Sequence, residues 1–319
     1  MRVAIIGARW PDVELERGIL GLSEGEIARD PGTTREGILE AASNAEVILA
    51  GSRPRFDAAT IDHLQCRGIV RYGAGHDNVD VAAARRRGME VASVPDYGTE
   101  AVALHAVSLA LALLRRIPQA DRQVRAGGWE LAPLRPLHLP SVLTVGIVGF
   151  GRIGQRAAQL FAGLGFGRIL GFDDRFEVDA PLVEAVPMET VLVESDIVSV
   201  HASGEPDGTP VIGRTEIALF KPGSILVNTA RGSLIDPEAL LSGLRANRPA
   251  AAALDVFDPE PPDAGVFAEV IEQIVMTPHM AWYTEETERE LRTKTAQEAK
   301  RVLDRMPVLH PVAAPGESS

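Results

Sequence analysis

A chain of 319 residues with 45% hydrophobic and 24% charged residues has the length for two globular cores and an ordinary composition for them. Its net charge of −12 argues against a broad basic face, and so against nucleic acid or an anionic membrane as the main partner. The single cysteine, Cys66, excludes an intrachain disulfide and suits a reducing, cytoplasmic setting.

Short apolar runs alternate with helical patterns along the whole chain, the signature of βα units and a parallel sheet. The first runs are Val3–Ile6, Val47–Ala50, Ile69–Arg71 and Glu90–Val94, each followed by a turn rich in Gly, Pro or Ser. The opening residues read as a buried strand and not as a signal sequence. Thr99 is the expected N-cap of a helix over Ala101–Arg115, with Glu100 in its first turn. That helix is apolar nearly all round, yet shorter than the roughly 20 residues a membrane span needs. It belongs either inside a core or against a partner subunit. Pro133, Pro136 and Pro140 predict an extended connection over Leu131–Ser141.

A second series follows: Leu143–Val148, Arg168–Phe172, Ile197–His201, Ser224–Asn228, Ala251–Asp255 and Ile274–Met276. Six strands separated by helical stretches predict one doubly wound sheet. Thr284–Arg305 carries acidic residues early and basic residues late, as a helix dipole favours. Ala313–Ser319 is expected to fray.

Gly149-Phe150-Gly151-Arg152-Ile153-Gly154 sits directly after a predicted strand and opens a helical pattern. In such a loop Gly149 permits a tight turn, Gly151 lets backbone approach a pyrophosphate, and Gly154 lets helix and strand pack closely. The helix N-terminus then presents free N–H groups to the phosphates. The following strand ends at Asp173, about 20 residues on, where a carboxylate accepts from both ribose hydroxyls and repels a 2′-phosphate. Asp174 adds negative charge, so NAD is expected over NADP, with Arg175 as a weak opposing signal.

Three later segments follow strand C-termini, where doubly wound sheets place functional groups. Asn228–Gly232 offers Arg231, Asp255–Pro261 offers Glu260, and Met276–Trp282 offers His279. Alcohol oxidation needs a base for the hydroxyl proton, and histidine titrates near neutrality. A carboxylate orients the imidazole, and guanidinium binds a substrate carboxylate in a planar, bidentate way. Taken singly, Arg231 could cap a strand, Glu260 could be a solvated loop residue, and His279 a satisfied turn histidine. Together, after a dinucleotide fingerprint, they point to hydride transfer on a 2-hydroxy acid.

These segments resemble the D-isomer-specific 2-hydroxyacid dehydrogenase family over nearly the whole chain. Arg71-Tyr72-Gly73-Ala74-Gly75-His76-Asp77-Asn78-Val79-Asp80 is similar to the family's substrate loop, and Pro95–Ala103 to its crossing into the nucleotide domain. The resemblance implies an α/β fold of two doubly wound domains with an interdomain cleft. Residues 1–97 plus 286–319 would form a flavodoxin-like substrate domain, and 98–285 a Rossmann NAD-binding domain. It implies catalysis by Arg231, Glu260 and His279, with Arg231 also holding substrate. Gly149, Gly151, Arg152, Ile153, Gly154, Asp173, His201, Ala230 and Asp255 would contact NAD. Gly73, Ala74, Gly75 and Trp282 would meet the substrate. No metal is implied, and a homodimer through the NAD domain is.

Some residues depart from the family. After His201 the run Ala202-Ser203-Gly204-Glu205 lacks the usual Pro-Leu-Thr, and Leu104 replaces an acidic residue before His105. Ala281-Trp282-Tyr283-Thr284 is closest to the branch with C-terminal-binding-protein corepressors and some hydroxypyruvate reductases. That leaves open an NAD-sensing interaction protein with a retained site, and a phosphite or phosphonate dehydrogenase, since Arg231 would grip those anions equally well. Trp282 either narrows the pocket or closes the domain core. Arg53, Arg55, Arg71 and Tyr72 are further candidates for selecting substrate.

Overall fold

A computed structural model describes residues 2–175, 177, 178, 180–204 and 208–313. Glu205 and the expected frayed tail after Ala313 lie outside these residues. The chain separates into two compact units: the stretch up to Gly98 together with the chain from Thr284 onward, and Thr99–Tyr283.

In the first unit, β1 (Val3–Ile6), α1 (Glu14–Leu20), β2 (Ile27–Asp30), α2 (Arg35–Ala42), β3 (Val47–Ala50), α3 (Ala58–Ile61), β4 (Gly68–Arg71), α4 (Val81–Arg86) and β5 (Glu90–Ala92) follow in order. The strands form one parallel sheet in the order β2-β1-β3-β4-β5. Every residue of β1 and β3 is buried, because helices cover both faces and an inner parallel strand must be apolar throughout. Each fully buried Val, Ile or Leu contributes about 1.5–3 kcal/mol. β2 gave no sequence signal. Its Ile-Ala-Arg-Asp sits at the sheet edge, where half-burial tolerates charge. The strand expected over Glu90–Val94 stops at Ala92, since the Ser93 and Val94 amides turn to His310 O and Gly73 O.

The second unit begins with α5 (Thr99–Leu114) and α6 (Ile117–Arg125). α5 starts at Thr99 itself, so Thr99 is its first residue and not the expected cap. Ala103, Ala106, Val107 and Ala110 form its buried stripe, and small side chains there let the helix lie close against the sheet. Leu104 lies on the outer side, half exposed. The proline segment is less extended than expected, with single 3₁₀ turns at Ala132–Leu134 and Pro140–Val142.

Then come β6 (Thr144–Val148), α7 (Arg152–Gly163), β7 (Arg168–Phe172), β8 (Glu184–Ala185), α8 (Met188–Glu194), β9 (Ile197–Val200), α9 (Arg214–Leu219), β10 (Ile225–Asn228), α10 (Pro237–Arg245), β11 (Ala251–Leu254) and β12 (Ile274–Met276). The sheet has seven strands, in the order β12-β11-β10-β9-β6-β7-β8, where six were expected. The missed strand, β8, is two exposed residues at the edge, too short to show a pattern. All pairings are parallel, and the order reverses direction at β6. One register row, Met276–Leu254–Asn228–Val200–Val148–Phe172, runs along the C-terminal edge. The loops that follow this row carry most of the predicted site.

The last helix is α11 (Glu285–Leu303), which packs on α1, β3 and β4 of the first unit. Thr284 caps it by accepting from the Thr287 amide, and acidic Glu285, Glu286 and Glu288 fill its first turn. Buried Arg292 donates from Nε and Nη2 to the two oxygens of fully buried Glu16, at 3.0 and 2.8 Å. Removing Arg292 would leave the buried Glu16 charge without its counter-ion, at a cost of about 3–5 kcal/mol. No single helix among the described residues is long and apolar enough to cross a membrane.

Candidate active site

The glycine turn between β6 and α7 lies at the strand-order reversal. Gly149 has φ +91°, and a Cβ there would lie 2.2 Å from the amide of Ala202 on the loop after β9. A Cβ on Gly154 would lie 2.0 Å from Gly149 O. Both glycines are therefore required by packing. A Cβ on Gly151 would meet nothing within 4 Å, so that position leaves open space at the start of α7 for an approaching group. Arg152 is exposed beside it, and Ile153 packs toward the core. Asp173 follows Phe172, the last residue of that row, its Oδ2 accepting from Phe150 N at 2.5 Å and Oδ1 from Arg175 N at 2.8 Å. The carboxylate thus stands against the glycine turn.

Two polar atoms at the same edge are buried without hydrogen-bond partners among the described residues: His201 Nδ1 after β9 and Thr229 Oγ1 after β10. His201 Nε2 meets Ser199 Oγ at 2.9 Å, and burial pushes the imidazole down to about 4, so the ring is neutral. Open backbone at Gly151, the N-terminal end of α7 and the orphaned polar atoms beside them are what a dinucleotide phosphate and ribose would complete. The residues fit NAD.

Arg231, Glu260 and His279 follow three neighbouring strands, β10, β11 and β12. Asn228 shapes the first loop: its Oδ1 accepts from Ala230 N at 3.0 Å and its Nδ2 donates to Arg231 O at 2.8 Å. Arg231 Nη1 donates to Ala230 O at 2.7 Å, which sets the guanidinium over its own turn. A Cβ on Gly232 would lie 2.1 Å from the Phe257 carbonyl carbon. Glycine at 232 is what allows the arginine loop and the loop of Glu260 to touch.

Glu260 reaches His279 Nδ1 with both oxygens, at 3.0 and 2.8 Å. A carboxylate accepts only, so Nδ1 carries the hydrogen and Nε2 remains for proton exchange. Glu260 Oε1 also accepts from Phe257 N at 3.2 Å, which fixes the carboxylate to its loop. Both side chains are about one-third exposed, at 34% and 35%. His279 has φ +53°, a left-handed conformation that costs a non-glycine residue about 1–2 kcal/mol. Trp282 is half-buried and donates from Nε1 to His279 O at 3.1 Å, with its ring edge-on to Tyr283.

Asp255 is fully buried, and its carboxylate points into the 277–281 turn. Two residues that sequence reasoning did not single out join it: Thr277 Oγ1 donates to Asp255 Oδ1 at 2.5 Å and meets His105 Nε2 at 3.2 Å. The only sequence signal was a lone histidine in an apolar helix. Gly73, Ala74 and Gly75 belong to the first unit, after β4, with Gly73 at φ +124° and Arg71 Nε donating to Asn78 Oδ1 at 3.2 Å. Tyr72 Oη donates to Glu16 at 3.2 Å and is fully engaged in that core. Arg53 and Arg55 are exposed on the loop after β3. Among the described residues no group of three His, Cys, Asp or Glu could hold a metal.

A Rossmann unit with a guanidinium and a carboxylate-backed imidazole at its C-terminal edge defines a nicotinamide-dependent dehydrogenase class. The family model for the D-isomer-specific 2-hydroxyacid dehydrogenase NAD-binding domain matches residues 107–281. A glyoxylate reductase from Korarchaeum cryptofilum is 36% identical over 82% of this chain and 80% of its own. A D-3-phosphoglycerate dehydrogenase from Archaeoglobus fulgidus is 33% identical over 91% of this chain and 55% of its own. The chain spans about half the length of the D-3-phosphoglycerate dehydrogenases it matches. The crystal structure of TT0316 protein from Thermus thermophilus has a TM-score of 0.88 at 31% identity, covering 98% of this chain and all of that one. The chain belongs to the D-isomer-specific 2-hydroxyacid dehydrogenase family, with NAD as its cofactor.

Proposed function

We propose that the protein is an NAD-dependent dehydrogenase that interconverts a small D-2-hydroxy acid and its 2-oxo acid. The observation that carries this reading is the Glu260–His279 pair at 2.8 Å on the loops beside Arg231. NAD supplies the hydride acceptor in oxidation and the donor in reduction. Arg231 binds the substrate carboxylate and polarises the reacting oxygen. His279 takes the hydroxyl proton at Nε2 and returns it in the reverse direction, while Glu260 at Nδ1 fixes the tautomer and balances the imidazolium charge. Asp173 and the glycine turn hold the adenosine end. Trp282 borders the substrate. A pair held for proton transfer favours an enzyme over a purely NAD-sensing interaction protein.

A cytoplasmic homodimer completes the reading. Leu104 on α5 and Ile117 and Val124 on α6 are exposed, as are Trp129, Leu131, Leu139 and Val142 on the following segment. An apolar surface of this kind, built on the helices of the NAD-binding unit, suits a second copy of the chain.

The test is an NADH-oxidation screen over glyoxylate, hydroxypyruvate, pyruvate, phenylpyruvate and longer 2-oxo acids, with phosphite offered to NAD. Turnover of at least one 2-oxo acid is expected, with NADH preferred over NADPH and Asp173→Ala narrowing that preference. Phosphite oxidation without 2-oxo acid reduction, or a native preference for NADPH, would overturn the reading.

A further inference from the structure

In the first unit a buried polar group is joined to the turn that follows β4. Glu16 of α1 is fully buried, and Tyr72 and Arg292 are nearly so. Glu16 Oε1 accepts from Arg292 Nε at 3.0 Å and from Tyr72 Oη at 3.2 Å, and Oε2 accepts from Arg292 Nη2 at 2.8 Å. Burial and the Glu16 carboxylate push the Tyr72 phenol well above its usual range, so it keeps its proton and donates. Trp10, on the loop after β1, completes the group. Its ring is edge-on to Tyr72 at 4.5 Å, and the Arg292 guanidinium carbon lies 5.1 Å from its centre.

Stability alone does not call for such a group. Apolar side chains of similar volume serve a core as well as a buried ion pair, because desolvating two charges offsets most of their attraction. What the pair adds is direction: the planar guanidinium fixes the carboxylate, and the carboxylate fixes one hydroxyl. That hydroxyl belongs to the residue that opens the 72–75 turn. Tyr72 N donates to Ala50 O at 2.9 Å and Gly73 O accepts from Val94 N at 3.0 Å, so backbone and side chain both hold the start of the turn. Gly73 then takes φ +124°, which suits glycine alone. The turn stands at the C-terminal edge of a sheet whose strand order reverses between β1 and β3, and doubly wound sheets receive ligands at that edge.

We propose that Glu16, Arg292 and Tyr72 are positioning residues for substrate affinity: the ion pair holds Tyr72, and Tyr72 holds the Gly73–Gly75 turn where it meets the 2-oxo acid. This inference rests on the reading of that turn as substrate-binding.

The test uses the full chain with Tyr72→Phe, with Glu16→Leu and Arg292→Met combined, and with Ala74→Asp. The combined change strands no buried charge, since Asp12 and Glu288, the other carboxylates near Arg292, reach solvent. Four quantities are read: KM and kcat for a 2-oxo acid at saturating NADH, the Kd of oxamate, an unreactive 2-oxo acid analogue, in the NADH complex, NADH Kd by fluorescence, and the melting temperature. Tyr72→Phe and the apolar pair are expected to raise KM and oxamate Kd about fivefold or more, with kcat and NADH Kd within about twofold and melting close to the parent. Ala74 is exposed on the turn, and a carboxylate there repels an anionic substrate, so Ala74→Asp raises both constants about tenfold or more. If Ala74→Asp does so while Tyr72→Phe and the apolar pair leave them within about twofold, the group only stabilises the unit and the positioning role is overturned. Constants unmoved in Ala74→Asp overturn the reading of the turn, and the positioning role with it. If the apolar pair does not fold, Tyr72→Phe, which removes a single oxygen, carries the test. Should no 2-oxo acid be turned over, the dehydrogenase reading fails and oxamate Kd still decides the positioning role.

Discussion

Replacing His279 by alanine is expected to lower kcat by about 10²–10⁴ while NADH binds as before. The size follows from the loss of a positioned proton acceptor, with Arg231 and the glycine turn left in place. Alanine at this position inherits the left-handed backbone of φ +53°, so part of any loss could come from a relaxed turn. His279→Asn separates the two causes. Asparagine tolerates that conformation better, yet has no group that exchanges a proton near neutrality. Both variants should be slow, and their melting temperatures should stay close to the parent. Steady-state rates within twofold of the parent for either would refute the assignment.

Replacing Arg231 by alanine is expected to cost about 10²–10³ in kcat and to raise KM as well. The guanidinium serves both states of the reaction: it holds the substrate carboxylate throughout and stabilises charge on the reacting oxygen in the transition state. Uniform binding lost raises KM, and transition-state stabilisation lost lowers kcat. Arg231→Lys keeps the charge and loses the planar fork, so it should recover only part of the loss. The loop should survive both changes, because Asn228 and Gly232 shape it through backbone contacts. Saturation kinetics in which KM alone changes would show that Arg231 only binds.

The sequence made the buried architecture legible, and it hid two of the four edge strands. β1, β3, β9 and β10 are four-residue runs with every position buried, and inner parallel strands leave few polar residues to blur the pattern. β2 and β8 are edge strands with Arg29, Asp30 and Glu184, which serve the ladder and solvent at once and look like loop. Thr99 looked like a cap because its chemistry suits one, but the helix had already begun. The glycine turn was readable because its spacing meets a local backbone need.

Arg231, Glu260 and His279 were readable for a related reason: each stands just after a recognisable strand. Their support was not. Thr277 and His105 are 172 positions apart, so only the fold brings them together; the same holds in the first unit's core, where Glu16 and Arg292 are 276 apart. The roles of Gly232 and Asn228 likewise depend on which loop lies next door.

The central claim is that Glu260 acts on the reaction through His279. Kinetics of Glu260→Gln, His279→Ala and the double variant test it most directly. If the two residues work as one unit, Glu260→Gln alone lowers kcat markedly, and the double variant is no slower than His279→Ala. A double variant slower by the product of the two single losses would contradict it, because the carboxylate would then act without the imidazole.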